Sequence, residues 1–194
     1  MIKQNISREA YNLAREYVGL REIEGTQNNP IIALAHHLCR VSVLDPTSDV
    51  DSSIPWCSSW VNLCVVGANA RRNPKATADM LRKKKFTGVT IAKVFEFAKV
   101  PIQFTNIDTG IEVVEPTWSA NSKSWDTWGN PVAFEHAERG DIIRFTRDGG
   151  GHVAFLDEDS LGVVMLSAFG GNQSNKVSSS NMYARSRLVH VRVG

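Results

Sequence analysis

No apolar run in this sequence comes near the ~18 residues that a membrane-spanning helix needs. The longest, such as Gly162 to Leu166, stop far short of that. Met1 to Leu20 carries charges among its apolar residues and has no continuous apolar core, so no secretory signal is expected. Cysteine is scarce. The three present are Cys39, Cys57 and Cys64, and an odd count without a signal argues against a disulfide framework. No CxxC pair occurs, which removes the usual zinc spacing. His36, His37 and Cys39 cluster, but adjacent histidines on a helix point in different directions and no second ligand group stands out. No metal is expected there. Charge of one sign is also lacking. A net charge of +2 is too weak to imply nucleic acid, though it suits an anionic polymer.

What is present is an ordinary globular composition in 194 residues, enough for one domain with a sizeable core. Ser7 to Val18 reads as an amphipathic helix with Ser7 as its cap. Asn29-Pro30 opens a second helix through Leu38. Asp45 to Ser53 is an acidic, turn-rich loop. Pro55 blocks a helix arriving from upstream, so a new one starts at about Trp56 or Cys57, with Trp60, Val61, Cys64 and Val65 as one buried stripe. Ala70 to Lys85 is basic, and Val89 to Ala98 reads as a short helix. Pro101 to Glu115 reads as a hairpin around Asp108-Thr-Gly, and Ser119 to Trp128 as helical. Strands are predicted at Asp141–Thr146, Gly151–Leu156, Gly162–Ser167 and Leu188–Val193. Helices first and antiparallel strands later predict an α+β fold. No repeat or linker interrupts it, so 1–194 reads as a single domain.

A cysteine nucleophile needs thiolate character, which a helix N-terminus and a nearby imidazole both favour. Cys57 alone stands where a helix begins, and that place also offers backbone N–H donors for an oxyanion. Cys39 and Cys64 read as core residues. Among the histidines, His152 begins a strand directly after a triple glycine, where another chain or a ligand can approach closely. His136 lies in a charged turn, and His190 alternates along an ordinary strand. A third polar group usually orients such an imidazole. Asn172 is the candidate and Gln173 the second. From the residues alone, however, Gly170 to Asn175 is also simply a turn.

Taken together, Ile54-Pro-Trp-Cys-Ser-Ser-Trp-Val-Asn, Gly140-Asp141-Ile-Ile-Arg-Phe, Gly151-His152-Val-Ala-Phe and Gly170-Gly-Asn-Gln-Ser-Asn resemble the CHAP type (cysteine, histidine-dependent amidohydrolase/peptidase) of the NlpC and CHAP superfamily, in its phage endolysin-like branch. Gly19-Leu-Arg-Glu-Ile-Glu-Gly, Asn29-Pro30-Ile and Ser119 to Trp125 with Trp128-Gly129 resemble it too, in family order. About 71–116 has no counterpart and reads as an insertion. The resemblance implies a papain-like fold, with N-terminal helices packed on a C-terminal antiparallel sheet. It implies cleavage of amide bonds in bacterial peptidoglycan, with Cys57 attacking, His152 taking the proton, Asn172 orienting His152, and Trp56 and Gln173 contacting substrate. The chemistry needs no cofactor. Some CHAP proteins hold calcium in an acidic loop ahead of the cysteine, and Asp45, Asp49 and Asp51 lie in such a loop without a full ligand pattern. The expectation is a monomeric endolysin kept in the host cytoplasm until released to the wall, with no membrane insertion and no nucleic-acid partner. A secreted antibacterial amidase effector, or a non-catalytic wall-binding or virion module, would share the same motifs.

Overall fold

The computed structural model describes residues 5–23, 29–41, 55–148, 150–158 and 164–194. The acidic loop with Asp45, Asp49 and Asp51 lies outside the described residues.

Helix α1 (Ile6–Arg15) is capped by Asn5, whose side chain accepts from the Arg8 N–H at 3.1 Å. Ser7, the expected cap, is instead buried two residues further in, within the first turn. Its hydroxyl accepts from the Gly194 N–H at 2.9 Å, and the Ile6 N–H donates to the Gly194 carbonyl at 2.8 Å. Helix α2 (Pro30–Leu38) starts as predicted, with Asn29 accepting from the Ile31 N–H and Pro30 in the first turn.

Helix α3 (Cys57–Arg72) begins where Pro55 and Trp56 set it, and every residue from Cys57 to Ala70 is buried. The single apolar stripe expected there is therefore wrong. Helices α1, α2, α4 (Pro74–Lys83) and α5 (Gly88–Phe97) and the sheet surround it on all sides. Its polar side chains are tied to backbone. Ser58 Oγ donates to the Ser119 carbonyl at 2.6 Å, Asn62 accepts from the Trp118 N–H at 2.7 Å, and Asn69 exchanges two bonds with Val114.

The hairpin expected at Pro101–Glu115 does not form. Ile102–Asn106 is a 3-10 turn, and the chain then runs irregularly along α3 and α4. Ile102, Phe104 and Ile107 are exposed, so no buried face holds them in a ladder. Asn73 and Asn69 instead take up the backbone of Ile111 and Val114. The helix expected at Ser119–Trp128 shrinks to one 3-10 turn, Ser122–Asp126, capped by Asn121. Its Trp125 is fully buried and donates its indole N–H to Ser58 Oγ at 2.9 Å.

The strands are β1 (Asn130–Pro131), β2 (Ile142–Arg147), β3 (Gly150–Leu156), β4 (Met165–Gly170), β5 (Ser178–Ala184) and β6 (Leu188–Val193). They form an antiparallel sheet in the order β1-β6-β2-β3-β4-β5. The α+β expectation holds at this level. The third predicted strand lies later than expected, at Met165–Gly170, and the serine-rich β5 was not foreseen.

The order forces curvature. Strand β5 is at one end and β6 is four places away, about 19 Å in a flat sheet. Only residues 185–187 join them, a link of at most about 14 Å. The sheet must curl, and Arg185 beyond β5 lies over the ring of Phe134 beyond β1, 5.3 Å from its centroid. Two cores result. One lies between sheet and helices and includes Val153, Phe155 and Phe169 with α3. The other, inside the curl, holds Ile143, Phe145, Ala154, Leu156, Leu166 and Ala168.

Candidate active site

Cys57 is the first residue of α3, and Trp56 before it makes no side-chain cap bond. The thiol is only 2 % exposed, but it lines a groove of about 220 Å³ with Asn121, Ser122, Arg147, Gly150 and Gly151. Burial pushes the Cys57 thiol up from its ordinary range. The Val153 N–H hydrogen-bonded to it, the Arg147 charge and the N–H groups of Cys57 and Ser58 oppose that rise. The other thiols have no such setting. Burial pushes Cys39 up to about 12 and Cys64 well above its ordinary range, and neither lines this groove.

The triple glycine has a packing reason. A Cβ on Gly151 would come within 2.5 Å of Ser122 Oγ, so glycine lets the Ser122 turn close over β3. The same bare backbone leaves the groove open beside the thiol.

His152 is fully buried, one residue from the N–H that touches the thiol. Its ring, however, faces the other way. Side chains alternate along a strand, and Val153 and Phe155 point to α3 while Ala154 and Leu156 point into the curl. His152 shares the second parity. Its ring stacks on Tyr183 at 5.2 Å and 10°, and Tyr183 stacks on Phe145 at 4.7 Å. Among the described residues neither ring nitrogen has a hydrogen-bond partner, so no bond joins His152 to Cys57 or to Asn172. Burial, aided by Arg147, lowers the His152 pKa to about 3. Thiol and imidazole are both neutral in this arrangement.

Asn172 adopts a left-handed φ of 60° and is partly exposed. The β3–β4 register pairs Phe155 with Phe169 and Leu156 with Ala168, then stops. Asn172 lies beyond the end of β4, and no hydrogen bond among the described residues joins it to His152. Trp56 and Gln173, expected to contact substrate, serve the fold here. Trp56 is fully buried, donates its indole N–H to Glu22 at 2.7 Å and packs against Gly171, whose Cβ would lie 2.3 Å from it. Gln173 is buried, and its amide donates to the carbonyls of Ala168 and Ser178, holding the β4–β5 turn.

Arg147 was missed. Its only sequence signal is its place at the tip of a predicted hairpin, before the glycines. No group of three or more metal-ligating side chains gathers among the described residues. His36 instead meets Ser59 Oγ at 3.2 Å, and His37 meets Thr90 at 3.2 Å. A larger cleft of about 310 Å³ between α2 and α5 is lined by Tyr17, Leu34, Lys93 and Phe97, with no cysteine among its described lining residues. Comparisons with family models, curated proteins and solved structures find no match for this chain.

Proposed function

We propose that the chain is a cysteine-dependent hydrolase of peptidoglycan amide bonds on a papain-like fold, with Cys57 as nucleophile and His152 as its base. The observation that carries this reading is a thiol on the first turn of an uncapped helix, lining a groove and held by a strand N–H next to the only histidine of that strand. His152 takes the thiol proton as sulfur attacks the carbonyl carbon. The oxyanion is met by N–H groups of the first turn of α3. The C–N bond then breaks, the amine leaves with the proton, and water splits the thioester to regenerate the thiol.

In the resting arrangement His152 must leave its stack on Tyr183 to reach sulfur. On its β4 side, β3 is unpaired before Phe155, so within the sheet that end of the strand pairs with β2 only. The lysis role and Asn172 as orienting residue belong to the same proposal. A second reading is favoured by the separation of the His152 ring from the thiol: a wall-binding module without catalysis.

Purified sacculi incubated with the protein distinguish the two. The hydrolase reading expects soluble muropeptides, identified by mass spectrometry as amidase or endopeptidase products. Cys57→Ala should abolish their release while the circular dichroism spectrum and sacculus binding persist. Binding without release by the unmutated protein would establish the second reading and end the first.

A further inference from the structure

Among the described residues that line the groove with Cys57, one is charged, and it is positive. Arg147, the last residue of β2, is half-buried and lines the groove with the thiol and the bare backbone of Gly150 and Gly151. Among the described residues it makes no hydrogen bond and no ion pair. Its neighbours are treated differently. Arg144, three positions earlier, is held by both carboxylate oxygens of Asp126. Asp148, next in the chain, lies 3.7 Å from Arg187 instead. Among the described residues no carboxylate lines the groove. A guanidinium drawn partly out of water without a partner is costly, and its planar fork matches a carboxylate with two parallel N–H donors.

We propose that Arg147 binds a carboxylate of the substrate, and that the groove therefore takes acidic peptides carrying a free carboxylate on a residue flanking the scissile amide. This rests on the reading of the groove as a peptide hydrolase site. The groove is small, so one anchor near the thiol sets the register of the peptide against sulfur. Amidation of that carboxylate removes the charge and the second acceptor, leaving Arg147 without its partner.

The probe is a pair of synthetic wall-stem peptides that differ only in a carboxylate or a carboxamide beside the amide to be cut. Binding is measured by calorimetry on Cys57→Ala protein, so the answer does not depend on turnover. The carboxylate peptide should bind at least about tenfold more tightly than its amide. Adding Arg147→Gln should bring the two within about twofold, by weakening the carboxylate peptide alone. Arg147→Lys, which keeps the charge without the fork, should restore part of the preference. Equal binding of both peptides, binding of neither, or an unchanged preference in Arg147→Gln would each overturn the inference. Discrimination in binding, with no cleavage of either peptide by the unmutated protein, would support the Arg147 site and count against the hydrolase reading alone.

Discussion

His152 sits in an apolar stack with both ring nitrogens unpaired, and this has a thermodynamic consequence. Its folded pKa of about 3 lies below the ordinary 6.5. Between those values the unfolded chain binds a proton that the folded chain refuses. Stability linked to this group is thus fully present above pH 6.5 and is lost as pH falls toward 3. The slope is about 1.4 kcal/mol per pH unit. Urea midpoints at pH 7 and pH 4.5 should differ more in the native protein than in His152→Phe, which keeps an aromatic ring against Tyr183. The excess loss in the native protein should be about 2–3 kcal/mol. Equal losses in the two proteins would show that His152 does not titrate from a buried neutral state.

At the scale of elements, Asn73 ties the basic helix to the irregular segment after it. Its side-chain oxygen caps α4 by accepting from the Ala76 N–H, while its amide donates to Asp108 and to the Ile111 carbonyl. One residue therefore closes α3 with its backbone N–H, which donates to the Asn69 carbonyl, while its side chain starts α4 and anchors the Asp108 turn. Asn73→Ala should lose about 1 kcal/mol for the cap and about 1 kcal/mol more for the half-buried Ile111 carbonyl it leaves without a donor. Asn73→Asp keeps the cap but not the two donors, and should fall between them. Chemical denaturation of the three proteins checks the ranking. A neutral Asn73→Ala would mean that the segment is held by other contacts.

For the whole molecule, the segment around 71–116, read as an insertion, shares its core with the rest. Leu81, Phe95 and Phe97 belong to the same buried cluster as Ile6, Leu13, Trp60 and Phe155. The C-terminal backbone is tied to the first turn of α1. Unfolding should therefore be one cooperative transition, with tryptophan fluorescence and far-ultraviolet circular dichroism superimposing along a urea titration. Two separated transitions would show that the helices and the curled sheet are independently stable.

Local chemistry alone determined the start of α2 at Asn29-Pro30, the start of α3 after Pro55-Trp56, and the alternation of β6. Each rests on a cap, a blocked φ or a period of two, all carried by neighbours in the chain. That is enough to single out Cys57 before any fold is known. The sequence also placed His152 on the correct strand, but alternation fixes only which residues share a face. Which face meets α3 depends on how the sheet curls, and that follows from a three-residue link between strands four places apart. Strand β5 was illegible because Ser178-Ser-Ser carries no apolar period and pairs only because β4 offers an edge. Arg147 differs from Arg144 in nothing local. Asp126, brought in from an earlier turn, occupies one guanidinium and leaves the other facing the thiol's groove. Contacts between distant segments decided these features, because the partner that sets each one lies far away in the chain.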